Sequence, residues 1–285
     1  MRSPIRWFGG KGHMVAKIMP VLARIPHERY VEPFGGGASI LLAKKPKPVE
    51  VYNDLDQSLY GFFSVLADPE LFEQFYRRVA VLPHSRQFYN EYRKEWEEEA
   101  NKIIRAAKWF VVARQSFSGD FGQSWGSSVT STRRGMAMTC STWLSCIEML
   151  PQIHARLQRV QIENADFRTI LDRYDTPKTL FYCDPPYIPE TRKAGGYTHE
   201  MTAEDQQELV SLLLRLKGKV VLSGYNHEIY ALLEQSGWTR YDFHTACFAA
   251  GKTRNSGLQG KGKALEKQGR IESLWVKPYS EGRLF

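Results

Sequence analysis

The chain has 285 residues, 42% of them hydrophobic, which is enough to bury a full core in one large domain or in one domain with an insertion. No run approaches the roughly 20 consecutive apolar residues of a membrane span, and the first residues lack the apolar stretch of a secretory signal, so we expect a cytoplasmic protein without membrane contact. The formal net charge of +8 favours an anionic partner such as nucleic acid.

Short β-branched or aromatic runs alternate with amphipathic stretches over 30–54 and again from about 160 onwards, which predicts an α/β fold with a mostly parallel sheet. The predicted strands are 29–32, 49–54, 160–164, 179–184, 219–223, 240–245 and 270–276. A helix over 203–216 has Thr202 as its cap and Asp205 close to a capping-box position. A second helix is predicted from an N-cap at Asn226 to a stop at Gly237.

Strand patterns nearly vanish between residues 58 and 156, where helical spacing takes over. We therefore predict a helical insertion, 58–156, in an α/β domain formed by 1–57 and 157–285. The insertion contains a Gly/Ser-rich segment, 115–126, followed by polar residues that end in Arg133 and Arg134. A basic, glycine-rich segment, 251–270, fits a solvated linker at least as well as a nucleic-acid contact when it is considered alone.

The first predicted strand runs into a glycine turn and then an apolar helix, an arrangement that lets backbone approach a ligand and favours negative charge. The turn lacks the Lys-Ser/Thr of a triphosphate-binding loop, which argues against an ATPase or kinase. About 20 residues further on, the second strand ends at Asp54, where nucleoside-binding folds place a ribose-binding carboxylate; Asp56 is the second candidate. These features indicate a nucleoside-containing cofactor, either a dinucleotide or S-adenosylmethionine.

A second turn, Asp184-Pro185-Pro186-Tyr187, follows the predicted strand 179–184. Prolines cannot donate to a strand ladder, so this turn ends the strand and is stiff. The turn presents a carboxylate, a carbonyl and an aromatic ring at the carboxyl edge of the sheet. An exocyclic amine of a base has two N–H donors for those two acceptors, while the ring stacks on the base. With the upstream cofactor pattern, this favours amine methylation over an ordinary structural turn.

The order of these motifs resembles the adenine-N6 DNA methyltransferases of the Dam-like, D12 class, in which a cofactor motif precedes a target-recognition insertion and a DPPY motif follows it. The resemblance implies a Rossmann-like S-adenosylmethionine-dependent methyltransferase fold. It implies cofactor contacts from Trp7, Lys11, Glu32, Pro33, Phe34, Gly35, Gly36, Asp54, Asp166, Phe167 and Asp184, and catalytic roles for Asp184, Pro185, Pro186 and Tyr187. One departure is Ala38, where the family usually has a second glycine.

The resemblance implies a site-specific enzyme that transfers the methyl group of S-adenosylmethionine to N6 of an adenine flipped out of double-stranded DNA. Neither a metal nor a catalytic cysteine is needed, and Cys183, in a buried strand, should be inert. A monomer is sufficient to methylate one strand at a time, in the cytoplasm of a bacterial or phage-infected cell.

The stretch 114–119 resembles phage and prophage members of the class, while no part of the insertion matches the segment with which GATC-specific enzymes read their site. The target sequence is therefore not predicted. We expect DNA contacts from Arg114, Arg133, Arg134, Lys252, Arg254, Lys261 and Lys263.

Three other functions share part of this pattern. Cytosine-N4 methyltransferases use the same geometry but more typically carry Ser at the position of Asp184. Methylation of RNA or of a protein amide would not explain the N-terminal motif with Trp7 and Lys11. A DNA-binding module without catalysis would not need those residues together with Asp54 and Asp184.

Overall fold

The computed structural model describes residues 1–191, 199–246 and 269–279. The strands among these residues are β1 (Arg29–Glu32), β2 (Val49–Asn53), β3 (Thr132–Arg133), β4 (Met136–Ala137), β5 (Gln161–Glu163), β6 (Thr179–Cys183), β7 (Lys219–Tyr225), β8 (Thr239–Ala246) and β9 (Gly269–Val276). Seven of them form one sheet in the order β5-β2-β1-β6-β7-β9-β8. The first five in this order run parallel, and β9 is antiparallel to both neighbours.

The helices of the described residues are α1 (Val15–Arg24), α2 (Ser39–Ala43), α3 (Gln57–Ala67), α4 (Pro69–Ala80), α5 (Arg86–Glu95), α6 (Lys102–Gln115), α7 (Met138–Leu157), α8 (Phe167–Tyr174), α9 (Ala203–Arg215) and α10 (Ala231–Gln235). Short 3-10 helices cover Lys11–His13, Phe117–Gly119, Pro189–Thr191 and Glu228–Tyr230. Within the described part of the chain, none of these helices combines the length and apolar character of a membrane span.

Helices cover both faces of the sheet, and the central strand β6 is buried along its whole length. Its side chains alternate between two hydrophobic clusters because successive residues of a strand point to opposite faces. Leu180 and Tyr182 belong to the cluster that includes α1, α3 and α6, while Phe181 and Cys183 belong to the cluster with α8 and α9. The α/β fold with a mostly parallel sheet is therefore confirmed.

The order of the strands reverses between β1 and β6. The chain proceeds from β1 outwards to β2 and β5, then returns to place β6 on the other side of β1. The loops that leave β1 and β6 therefore diverge and open a crevice at the carboxyl edge of the sheet, which is where α/β folds bind ligands. The predicted glycine turn and the DPPY turn are these two loops.

The helical character predicted for 58–156 is confirmed, with α3 to α7 and a hairpin of two short strands, β3 and β4. These helices pack directly on the sheet. Trp109 of α6 and Trp143 of α7 share one hydrophobic cluster with Tyr30 of β1. The division of the chain into two domains at residues 58 and 156 stays a prediction.

Two helix ends were predicted with different success. The capping box of Thr202 and Asp205 is present at the start of α9. The predicted cap at Asn226 is wrong: the ring of His227 accepts a hydrogen bond from the Ile229 N–H, and a one-turn 3-10 helix precedes α10. The reason is that the Asn226 side chain is engaged by the guanidinium of Arg240 at 2.7 Å.

Candidate active site

The glycine turn after β1 packs closely against β2. A Cβ atom on Gly35 would lie 2.3 Å from Cε2 of Tyr52, so only glycine fits there. The Tyr52 hydroxyl donates a hydrogen bond to the carbonyl oxygen of Gly36 at 2.8 Å, and Gly36 has a positive φ of 48°. Both glycines are therefore required by the shape of the turn.

Asn53, which the sequence analysis did not single out, joins the ends of three strands. Its buried side-chain nitrogen donates to the carbonyl oxygens of Pro33 at 2.8 Å and Ala165 at 2.9 Å. Its side-chain oxygen accepts from the Ala165 N–H at 2.8 Å, and its carbonyl oxygen accepts from the Gly35 N–H at 2.7 Å. One residue at the end of β2 thus fixes the loops that follow β1 and β5.

Asp54 lies beside the glycine turn, and its carboxylate accepts from the N–H groups of Gly36 at 2.7 Å and Asp56 at 2.9 Å. Each oxygen keeps a lone pair for a further donor such as a ribose hydroxyl. Burial raises the pKa of Asp54 to about 6. Asp56, the second candidate, instead caps α3 by accepting from the Ser58 N–H at 2.8 Å.

Two predicted cofactor residues from different loops come together in the crevice. The ring centroids of Phe34 and Phe167 are 5.4 Å apart. Asp166 caps α8 by accepting a hydrogen bond from the backbone N–H of Arg168 at 2.8 Å. It also forms an ion pair with the guanidinium of Arg168 at 3.0 Å. The two aromatic side chains therefore line the space between the β1 and β5 loops, while Asp166 has a structural partner.

Trp7 lies beside the glycine turn, where a Cβ atom on Gly36 would be 3.5 Å from the Trp7 ring. Its ring centroid is 5.7 Å from Trp109 and 6.1 Å from Phe121. The N-terminal segment thereby lies between the glycine turn and the aromatic side chains of α6 and the loop after it.

The ammonium group of Lys11 is the centre of a buried polar cluster beside the DPPY turn. It lies 2.9 Å from Oδ1 of Asp184 and 4.5 Å from the ring centroid of Tyr187, and it donates to the Gly9 carbonyl at 3.0 Å. Burial raises the pKa of Asp184, and the Lys11 charge opposes that rise. The cluster therefore holds a positively charged nitrogen against a carboxylate and an aromatic face.

The DPPY turn is anchored by residues from β7 and α9. The Tyr187 hydroxyl lies 2.8 Å from Oγ of Ser223, and its ring meets the Tyr225 ring edge-on at 4.7 Å. Gln206, a buried residue of α9 that sequence reasoning missed, donates to the carbonyl of Pro186 at 2.7 Å. Pro185 is buried between these anchored residues.

Two other titratable groups are buried next to the cluster. Glu32, at the end of β1, accepts a hydrogen bond from the Tyr30 hydroxyl at 2.7 Å, and burial raises its pKa to about 8. Burial also raises the pKa of the Cys183 thiol, whose side chain is fully enclosed. A thiol in this state is a poor nucleophile, which agrees with the expectation that Cys183 is inert.

The predicted DNA contacts are distributed over the insertion and the C-terminal segment. Arg133 is exposed on β3, whereas the Arg134 guanidinium forms two hydrogen bonds with Glu148 of α7, at 2.9 and 3.1 Å. Arg114 lies at the end of α6, and its Nε is buried without a hydrogen-bond partner among the described residues. The predicted contacts Lys252, Arg254, Lys261 and Lys263 lie outside the described residues.

Comparison with known protein families agrees with this arrangement. Residues 7–244 match the family described as D12 class N6 adenine-specific DNA methyltransferase. The chain belongs to this family. It is therefore an enzyme that methylates adenine N6 in DNA, and S-adenosylmethionine is the methyl donor that the family implies. The matched range includes the N-terminal motif, the glycine turn and the DPPY turn.

Proposed function

We propose that the crevice between the β1 and β6 loops is the active site and that Asp184, Pro185 and Tyr187 bind the target adenine. One observation carries this proposal: the cluster already binds a cationic nitrogen, that of Lys11, with the Asp184 carboxylate and the Tyr187 ring. The N6 nitrogen becomes positively charged as it is methylated, so the same two groups would stabilise it.

S-adenosylmethionine supplies an electrophilic methyl group when bound. The residues of the crevice fit its chemistry: Asp54 retains acceptor capacity for ribose hydroxyls, and the ring pair of Phe34 and Phe167 offers an apolar slot. Trp7 lies against the glycine turn and Lys11 beside the DPPY turn, and we propose that both contact the methionine part. No cluster of three or more potential metal ligands occurs in the described ranges, and we propose a reaction without metal.

The adenine must leave the base stack to reach this buried edge, at an energy of a few kcal/mol that contacts in the pocket offset. We propose that the Asp184 carboxylate and the Pro185 carbonyl accept the two N6 hydrogens. These acceptors draw the nitrogen lone pair out of conjugation with the ring. The stiff turn and the Gln206 anchor keep both acceptors in place, so the protein contributes positioning and electrostatics.

Double-stranded DNA is the proposed form of the substrate, bound by the face that carries α6, the β3–β4 hairpin and α7. Arg6 and Arg114 line one small cavity there, together with His84, Thr139 and Thr142. Desolvation and the neighbouring Arg114 charge lower the pKa of Arg6. Two adjacent cations without an acidic partner among the described residues favour a phosphate group. We propose that a monomer acts on DNA in the cytoplasm.

The decisive experiment incubates the protein with radiolabelled S-adenosylmethionine and mixed-sequence duplex DNA, then digests the DNA and identifies the labelled nucleoside. The proposal predicts N6-methyladenine. Label in N4-methylcytosine, or label only in RNA or protein added in parallel, would contradict it. An unlabelled product from a correctly folded protein would support a DNA-binding module without catalysis.

A further inference from the structure

Glu272 of β9 is a buried carboxylate with no role so far. Its side chain is 5% exposed and lies on the sheet face of Leu274 and Val276, beneath the 3-10 helix Lys11–His13 and α1. Its Oε1 lies 3.1 Å from Nε2 of His13, while its Oε2 is buried and accepts no hydrogen bond from the described residues. A buried carboxylate oxygen without a donor is energetically unfavourable, and a hydrogen-bond donor would stabilise it.

The sheet places Glu272 next to the DPPY turn. Its backbone pairs with that of Tyr225 in β7, and the Tyr225 ring packs edge-on against Tyr187. Glu272 also interacts electrostatically with both Asp184 and Lys11. The Lys11 ammonium therefore lies in the field of two carboxylates, the partly buried Asp184 at 2.9 Å and the buried Glu272 farther away.

Among the described residues, the charged groups that interact with Glu272 come from three elements. Lys11 and His13 face it from the 3-10 helix, Lys17 from α1 and Asp184 from the end of β6. Burial by itself raises the pKa of Glu272, but the His13 hydrogen bond and the Lys11 charge together hold it below its ordinary value. Glu272 is thus a carboxylate rather than a neutral acid near neutral pH.

The position of Lys11 conflicts with the entry of the target amine. Its ammonium already contacts both groups that the target amine needs, the Asp184 carboxylate and the face of the Tyr187 ring. Two positive nitrogens in one buried site repel each other strongly, so Lys11 must move as positive charge develops on N6. A buried ammonium that loses a carboxylate partner would be destabilised, and a second carboxylate that interacts with it, Glu272, would reduce this penalty.

We propose that Glu272 is a positioning residue that takes over the Lys11 ammonium when the target amine enters, leaving Asp184 to accept the amine. This inference rests on the proposed function of Asp184 and Tyr187. The lysine then has two positions: against Asp184 without the base, and against the open Oε2 of Glu272 with it. The carboxylate in β9 completes the active site from the last strand among the described residues.

The test is Glu272→Gln, which keeps the size of the side chain and removes its charge. We expect the single-turnover methylation rate, with DNA and S-adenosylmethionine saturating, to fall by at least about tenfold. Cofactor affinity should stay within about threefold, because the proposed change concerns the amine.

Three comparisons keep the test decisive. His13→Ala removes the exposed partner of Glu272 but keeps the carboxylate, and its rate should stay within about threefold of wild type. Glu272→Asp should retain part of the rate, and thermal midpoints identify any variant that has not folded. In a Lys11→Met background, Glu272→Gln should have no further effect, because Glu272 acts through Lys11.

A wild-type rate in Glu272→Gln, an equal loss in His13→Ala, or an undiminished loss from Glu272→Gln in the Lys11→Met background would overturn the inference. If Glu272→Gln does not fold, a loss in Glu272→Asp that is equally large with and without Lys11→Met would also overturn it. Failure of the wild-type enzyme to methylate adenine would instead overturn the proposed function, so the two failures are distinguishable.

Discussion

The crevice at the carboxyl edge of the sheet and the loop between α6 and α7 differ in how their polar groups are held. In the crevice, Asn53, Asp54 and Asp184 are tied to backbone or to a buried lysine. In the loop, Arg133 is exposed, and Arg134 is bound by two side chains of α7, Ser145 and the exposed Glu148. Buried groups that are fixed in advance suit chemistry, whereas exposed groups on a loop can adapt to a DNA surface.

The largest expected effect is that of Asp184→Asn, which keeps the size, removes the charge and can present an N–H where an acceptor is required. Single-turnover methylation should fall by orders of magnitude, because the carboxylate acts mainly in the transition state. DNA affinity should remain near the wild-type value. A rate within about tenfold of wild type, or about 1.4 kcal/mol, would mean that Asp184 is not the acceptor.

Asp54→Ala should weaken S-adenosylmethionine binding by roughly 1.5 to 3 kcal/mol, because it removes a charged acceptor for the ribose hydroxyls. Isothermal titration calorimetry measures this effect. Asp56→Ala is the matched control: it removes the cap of α3 and should reduce stability by about 1 kcal/mol without changing cofactor affinity. Equal cofactor affinity in both variants would reject the assignment of Asp54.

The pH dependence of cofactor binding provides a second test of Asp54 as the ribose-binding carboxylate. Burial raises the pKa of Asp54 to about 6, and the ionised form is the better acceptor. Cofactor affinity should therefore be constant well above pH 6, from about pH 7, and fall as the pH decreases through 6, by up to about tenfold per unit. Asp54→Asn should bind weakly at all pH values with a flatter profile. A wild-type affinity that is unchanged from pH 7 to 5 would contradict the prediction.

Substitutions in the loop should have smaller effects, and these effects should be on DNA binding. Replacing Arg133 and Arg134 with Ala should reduce discrimination between preferred and non-preferred duplexes by about 1 to 3 kcal/mol if either contacts a base. Arg114→Gln should weaken all duplexes alike and reduce the salt dependence of binding by about one unit of log–log slope. Fluorescence anisotropy titrations at several salt concentrations distinguish these outcomes, and an unchanged ratio and slope would place DNA recognition elsewhere.

The basic segment 251–270, of which 251–268 lie outside the described residues, provides the same kind of test. Replacing Lys261, Lys263 and Lys267 with Ala should weaken DNA binding and flatten its salt dependence, by about one unit of slope for each lost phosphate contact. If affinity and slope stay at the wild-type values, the segment is a linker.

The smallest expected effect concerns Ala38, where the family usually has glycine. Ala38 has a φ of 54° and a ψ of 30°, the left-handed region that is unfavourable for alanine by roughly 1 kcal/mol. Ala38→Gly relieves this strain but increases the entropy of the unfolded chain, so the free energy of unfolding should change by less than about 1 kcal/mol. Ala43→Gly, in right-handed α2, should destabilise by about 0.5 to 1 kcal/mol. If Ala38→Gly and Ala43→Gly reduced the free energy of unfolding in urea by the same amount, this account would be contradicted.

The sequence was sufficient for the features that depend on local patterns. The sheet strands, the glycine turn and the DPPY turn follow from residues adjacent in the chain, because a turn at a strand end is determined by its own glycines and prolines. The family resemblance added Trp7 and Lys11 as candidate residues, and the structure places both beside the crevice.

The features that the sequence did not reveal depend on contacts between distant segments. Asn53 bonds Ala165, 112 residues away, and Glu272 meets His13 across 259 residues. A buried amide or carboxylate in a strand has no local pattern that distinguishes it from a solvent-facing one. The N-cap at Asn226 was predicted wrongly for a similar reason, since Arg240, from the next strand, binds its side chain.

The central claim is that the buried crevice performs the chemistry and the exposed loop reads the DNA. The most direct test measures single-turnover rate and duplex discrimination together in Asp184→Asn and in the Arg133/Arg134 double alanine variant. We predict that Asp184→Asn has a much lower methylation rate but an unchanged ratio of affinities for preferred and non-preferred duplexes. The double variant should keep the methylation rate at saturating DNA, while its affinity ratio should fall. If either variant loses both properties in a folded protein, or if the pattern is reversed, the division of labour between the two regions is contradicted.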